Sequence, residues 1–541
     1  MQPHIPRLRA VLAFAVLAAS AGAQTLVEDQ RLFEAALTAG DELGAAVSAS
    51  GARIAVGAPR ADLIGSLSGA AYVYVASGAG WVKESDVTPF GLAPNDEFGT
   101  SIDIDGTRLV VGAPGADVNF VSRGAAYVFE RQGNGTWLQV AQLSASEGTV
   151  GDAFGSAVSL SGDRLIVGAP EDDPDGIGAS GSAYVFERQG NGTWLEVAKL
   201  TSANAGAARR FGRRVEIDGA VAAIAQSLAG GAVGGDQIFV HRRLTSAWPL
   251  EDTIATPTGN VPGAADFASD ISLSGTRLLV ADPSTTSGGR AHLFEHQAGS
   301  WNPVAELLAA PLGNSAPVGR SVALRGDMAV LGGPGTNSLE GRAALFLRAT
   351  NGIWRELASL QPNSRSGIAP DDCGRDVAID DACIVVGAPR FTPAGPAVAS
   401  GSAFAFRRGQ LMHGHTTVRV TGGEQQDFLL LAGPANGFKL HWIVGSASGT
   451  TPGVMLSPSI TAPLNIDNYA LQTISSTNSP PILGSLGLLD IDGVSKRTLI
   501  VPPGLEPSLA GLTLHHAYLI FEPLTFDLIG VSNAVPLTLV P

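Results

Sequence analysis

The residues in this sequence best suited to chemistry are acids and imidazoles. Glu171-Asp172-Asp173-Pro174-Asp175 puts four carboxylates into five positions. Such hard oxygen donors could hold a cation, but acidic runs are ordinarily solvated, and a solvated loop is the expectation. His413, His415, His441, His515 and His516 gather in the last quarter of the chain. His-x-His on a strand turns both rings to one face. His515 and His516, however, are adjacent and would point to opposite faces, and no Asp, Glu or Cys with familiar ligand spacing accompanies them, so a metal site is not the expected reading. No Gly-x-Ser-x-Gly elbow, His-Glu-x-x-His or phosphate loop occurs. No catalytic residue and no cofactor is expected from motifs.

The elements that must position these groups follow from the bulk numbers and the repeats. The chain has 541 residues, 68 Gly, 45% hydrophobic and 15% charged residues, and a net charge of −15. That is enough apolar material for buried cores and too long a chain for one ordinary core. The acidic surface argues against nucleic acid as a partner. Residues 1–23 read as a secretory signal peptide, with Arg7 and Arg9, an apolar run from Ala10 to Ala19, and Ala21-Gly22-Ala23 as the cleavage site. No later stretch has the length of a membrane span.

A Gly-Ala-Pro recurs at Gly57-Ala58-Pro59, Gly112-Ala113-Pro114, Gly168-Ala169-Pro170 and Gly387-Ala388-Pro389. Degenerate copies are Ala281-Asp282-Pro283, Gly332-Gly333-Pro334 and Ala225-Gln226-Ser227. Sixteen residues before each third position stands Leu43, Phe98, Phe154, Phe211, Phe267, Val318 or Cys373. A Trp lies 17 or 19 residues before the next mark: Trp81, Trp137, Trp194, Trp248, Trp301 and Trp354. Alternating runs such as Ala183-Tyr184-Val185-Phe186, and Asn-Gly before Trp137 and Trp194, predict strands and tight hairpins.

Each repeat thus holds four strands, reading in the third repeat Phe154 to Leu160, Arg164 to Gly168, Ser182 to Arg188 and Trp194 to Leu200. Four short strands per repeat without helix predict propeller blades. The seventh repeat stops near Arg408, before a fourth strand, and Leu26 to Leu32 has the spacing of the missing one. The expected fold is all-β: a seven-bladed β-propeller over 24–410, with repeats starting near 43, 98, 154, 211, 267, 318 and 373. An N-terminal strand, 26–32, is expected to complete blade seven.

Phe-Gly followed at this spacing by Gly-Ala-Pro resembles the FG-GAP repeats of integrin α-subunit heads and of bacterial exported proteins. The resemblance covers roughly Thr25 to Gln410. It implies that the Phe plugs the gap between blades, that Gly-Ala permits close backbone approach, and that Pro ends the strand. In that family some blades bind calcium through an Asp-x-Asp/Asn-x-Asp-Gly-x-x-Asp loop. The nearest match, Ser101-Ile-Asp103-Ile-Asp105-Gly106-Thr-Arg-Leu109, lacks the first and last ligands, so calcium binding is not carried over. The weak metal candidates are Asp103, Asp105, Asp172, Asp173 and Asp175.

Residues 411–541 lack the repeat marks. Runs such as Asp427 to Leu431, Arg497 to Val501 and Ala517 to Phe521 predict a small β-sandwich-like domain. On the predicted hairpin turning at Asp380-Asp381, Cys383 faces Ala378 rather than Cys373, so two buried thiols rather than a bridge are expected. A channel enzyme would need converging carboxylates. Asp103, Asp218, Asp270 and Asp376 lie at first-strand or turn positions but do not share one repeat register, and nothing distinguishes them from blade-surface acids. The expectation is an exported, monomeric, non-catalytic binding, adhesion or cell-surface protein that takes an extracellular protein or glycan on its propeller loops. The alternatives are a polysaccharide hydrolase or lyase acting in the channel and a structural envelope component.

Overall fold

The computed structural model describes residues 24–540 without 28–29, 78–79, 120, 205, 228–235, 256–266, 284–288, 311–317, 336–339, 363–370, 393–398, 408–410, 414–416, 420–424, 451–452, 458–459, 476–481, 484, 501–508 and 533. The expected signal segment therefore lies outside the described residues. Strand dominates. In the third repeat Ala157–Ser161, Arg164–Ala169, Ser182–Arg188 and Trp194–Thr201 form one antiparallel meander. Phe154 precedes the first strand instead of beginning it and makes a parallel bridge to Gly124 of the blade before. A bulge recurs at one place in the third strand, between Val73 and Tyr74, Val128 and Phe129, and Val185 and Phe186, for example. It adds local twist.

Seven such sheets follow one another among the described residues. The first strand of each packs on the first strand of the next, and Val377–Ile379 packs back on Ala46–Ser50, closing the circle. The repeat marks explain the packing. Phe98, Phe154, Phe211 and Phe267 are wholly buried. Phe154 meets Tyr184 edge-on at 5.5 Å between ring centroids, a favourable aromatic geometry. At Gly168 an added Cβ would lie 1.9 Å from the carbonyl oxygen of Gly212 in the next blade. Gly212 itself sits at φ +88°, a conformation that favours glycine.

The N-terminal segment divides between two blades. Gln30–Leu32 pairs antiparallel with Ser402–Arg407, so Leu32 lies opposite Ala403 in blade seven. Gln24–Val27 instead adds a parallel fifth strand to blade six, pairing Leu26 with Leu360. The expected single strand over 26–32 thus holds only in its second half. Trp354–Gln361 of blade six leaves an open edge, and the leading residues cover it.

The C-terminal residues form two larger sheets. Phe428, Leu430 and Leu499 of one pack on Ile443, Tyr518 and Ile520 of the other, a sandwich arrangement. One helix, Asn468–Ser475, is added. This unit sits against blade six: Arg355 reaches Asp490 at 2.8 Å and Asp492 at 3.0 Å. No described helix is long and apolar enough to cross a membrane. Cys373 and Cys383 are buried and not bridged to each other. The register corrects the expected partner: the amide of Asp380 donates to the carbonyl of Cys383, and Ala378 pairs with Val385. The hairpin turn falls at Asp381-Ala382, one residue later than predicted.

Candidate functional site: the channel and the face on which it opens

Alternation along the first strands turns every second residue toward the axis. Counted from each repeat mark, positions three, five and seven form three inward rings. The upper ring includes Arg214, Asp270, Ser321 and Asp376. The middle ring includes Ser48, Asp103, Ser159, Glu216 and Ser272. The lower ring is Ser50, Asp105, Ser161, Asp218, Ser274, Arg325 and Asp380. The upper and middle rings line a cavity of about 550 Å³.

The acids in these rings have a structural task. Each first strand is the innermost of its sheet, so its outer-edge amides lack a ladder partner and need acceptors. The preceding blade supplies them. Leu160 donates to Asp103 at 2.7 Å, Val322 to Asp270 at 2.9 Å, and Val47 to Asp376 at 2.7 Å. Ser hydroxyls do the same, with Ile104 donating to Ser48 at 3.2 Å and Ile217 to Ser159 at 3.1 Å.

In the lower ring every junction is linked. Gly106 donates to Ser50, Gly162 to Asp105, Gly219 to Ser161, Gly275 to Asp218, Gly326 to Ser274 and Gly51 to Asp380. The remaining junction is the ion pair of Arg325 with Asp381 at 3.0 Å. Asp103, Asp218, Asp270 and Asp376 therefore do follow the repeat register, on three offsets rather than one. Counting from the repeat mark instead of comparing whole motifs would have found this.

Burial raises these carboxyls. Asp103 is pushed up to about 6. Asp376 is pushed up to about 7, by burial and then by the charge of Asp270. Glu216 stands well above the usual carboxylate range, by burial and then by Asp103 and Asp270. Low dielectric and like charge both disfavour the ionised form. At the upper mouth basic groups join the acids, for Arg214, Arg320 and Arg375 line the opening together with Glu42, Glu97 and Asp372. Burial, then the like charges of Arg320 and Arg214, hold the Arg375 guanidinium below its usual range.

The loops between second and third strands lie on the same face as this mouth, because the first strand begins where the second ends: Ala46 pairs with Gly57 and Ala157 with Gly168. The loops are internally braced. In the first, Leu67 donates to Asp62 at 2.8 Å and Gly69 to the Ala61 carbonyl at 2.8 Å. Large apolar side chains stand exposed on this face, with Leu63 and Ile64 in the first loop and Phe90 and Val150 in the connections between blades.

Of the metal candidates, Asp103 and Asp105 are spent on inter-blade amides. Asp172 is buried, accepting from the Tyr184 hydroxyl at 2.9 Å and pairing with Lys199 at 3.1 Å. Asp173 accepts the Ala179 amide and braces its loop. The side chain of Asp175 lies outside the described ones. His516 bonds the Tyr469 hydroxyl at 2.8 Å, while His441 is buried beside Arg497. The side chains of His413 and His415 are outside the description. Among the described residues no group of three His, Cys, Asp or Glu could hold a metal ion.

The family model for the FG-GAP repeat matches residues 27–74, 81–129 and 137–186. No curated protein matches the chain. A chain of the Mitotic Checkpoint Complex is similar in structure at 14% identity and a TM-score of 0.42, over 74% of this chain and 99% of that one. A provisionally assigned 6-phosphogluconolactonase from Bacteroides uniformis is similar at 15% identity and a TM-score of 0.39, over 60% and 86%. A counterpart from Bacteroides fragilis is similar at 13% and 0.39, over 62% and 92%. No activity is carried over from these likenesses. Residues 27–186 thus carry three FG-GAP repeats by sequence, and the four-stranded sheets built on the same marks give the chain a β-propeller fold.

Proposed function

We propose that this is an exported, non-catalytic binding protein that captures an extracellular protein or glycan on the face carrying the loops between second and third strands. One observation carries the reading. Leu63, Ile64, Phe90 and Val150 are 51%, 57%, 74% and 74% exposed, all on that face, where they offer apolar contact area to a partner. Loops held on a rigid scaffold are where binding residues concentrate.

The test is a glycan and protein array probed with the mature chain and with a variant whose loops Ala61 to Ser68, Gly115 to Arg123 and Glu171 to Ser180 are replaced by neutral loops. Capture lost in the grafted chain, with its unfolding midpoint unchanged, supports the reading. Undiminished capture by the grafted chain, or saccharide cleavage on the array, overturns it.

A further inference from the structure

The upper mouth of the channel gathers Arg214, Arg320 and Arg375 beside the outer pairs Arg60 with Glu42 at 3.9 Å and Arg390 with Asp372 at 3.3 Å, with Glu97 also on its lining. Arg320 and Arg375 stand two residues after their repeat marks and Arg214 three, so the fold brings together three guanidinium groups that lie far apart in sequence. Arg214 is balanced in part by Asp270 at 3.4 Å. The Arg375 side chain lines the cavity and forms no ion pair or hydrogen bond among the described residues, though the charges of Asp372 and Asp376 act on it. Like charges fixed on a rigid ring repel one another, and an anion lodged between them relieves that repulsion. Behind the guanidinium groups stand Asp270 and Asp376. A carboxylate's planar oxygen pair fits the guanidinium fork.

We propose that this mouth is a carboxylate-binding site, with Arg375 as its principal contact and Arg320 and Arg214 beside it. The proposal deepens the binding reading and rests on it for its sense, because the mouth opens at the centre of the loop-bearing face. The shared chemistry is a carboxylate group, whether of a free small molecule or of a uronate unit in an acidic saccharide.

Isothermal titration calorimetry on the mature chain at pH 7 and low salt tests it, with tricarballylate and trigalacturonate as probes. Saturable binding of either probe is expected, weakened about tenfold or more in Arg375→Ala and unchanged in Arg325→Ala, which removes the same charge at the opposite end of the channel. Binding of tricarballylate alone supports free small carboxylates as the source, and binding of trigalacturonate alone supports an acidic saccharide. Should Arg375→Ala not fold, Arg375→Gln is titrated in its place. Absence of saturable binding, or equal loss in the Arg325→Ala variant, overturns the proposal. A loop-grafted chain that captures nothing yet still binds the probe sinks the loop reading alone. A chain that captures its ligand through the loops and binds neither probe sinks the carboxylate site alone.

Discussion

The carboxylate of Asp376 in the last blade accepts the backbone amide of Val47 in the first at 2.7 Å, across 329 positions of chain. This bond belongs to the series that links blade to blade around the channel, and here it seals the circle. Replacing Asp376 by Ala leaves the Val47 amide without its acceptor, at a cost of about 1–3 kcal/mol. Asp376→Asn, which keeps an oxygen acceptor, should lose much less. Denaturant unfolding midpoints of the two variants check the difference, and equal losses would refute the assignment.

The raised carboxyls carry a definite pH signature. In the folded chain burial pushes Asp103 up to about 6 and Asp376 up to about 7, from the ordinary aspartate value of 3.8. Between pH 4 and 7 the folded state therefore holds more protons at these sites than the unfolded state. Their contribution to stability is fully present below about pH 4 and is lost as pH rises through 6 to 7. Asp376→Asn should remove its share of that decline. The measurement is the unfolding free energy of wild type minus variant across this window, and a flat difference counts against the raised carboxyl.

Glu84 behaves in the opposite sense. Burial pushes its carboxyl up, but bonds from Arg53, Trp137 and Arg131 outweigh burial and hold it below the usual range. The Arg53 bond measures 2.8 Å within blade one, and those from Arg131 and Trp137 measure 2.8 and 3.1 Å from blade two. The stabilisation is present above about pH 4.5 and is lost as pH falls through the depressed folded value. Glu84→Gln should cost about 1–3 kcal/mol at pH 7, and less as the solution is acidified. Thermal unfolding at pH 7 and pH 4 reads both effects.

Glycine at the second repeat mark is required by the neighbouring blade, not by its own strand. Gly168→Ala would force a methyl onto the Gly212 carbonyl 1.9 Å away, whereas an added Cβ at Gly190 in a hairpin meets nothing within 4 Å. The first variant should be strongly destabilised, by about 1–3 kcal/mol or more, and the second nearly neutral. Comparable unfolding midpoints would contradict the inter-blade contact.

Phe154 is wholly buried and edge-packed on Tyr184 and Phe186. Phe154→Ala should cost about 3–5 kcal/mol. Leu43 and Val318, which hold the equivalent place with smaller side chains, should cost less on truncation. Calorimetric melting of the three variants orders them.

Strand identity, repeat length and the buried role of the Phe and Gly marks were legible in the sequence, because they are set by alternation, by turn residues and by spacing counted along the chain. The edges were not. Residues 24–32 carry one blade-like pattern, yet half of them cover blade six, since an open strand edge competes for any neighbouring backbone. Pattern alone left Asp103, Asp270 and Asp376 as scattered surface acids. Only the closed circle turns them inward, sets each against the amide of the next blade and raises its proton affinity. The same closure gathers Arg214, Arg320 and Arg375 at one mouth. Electrostatic neighbourhood depends on distance in space, and residues a whole blade apart in sequence become neighbours only when sheet packs on sheet, the last pair, Asp376 and Val47, only when the circle closes.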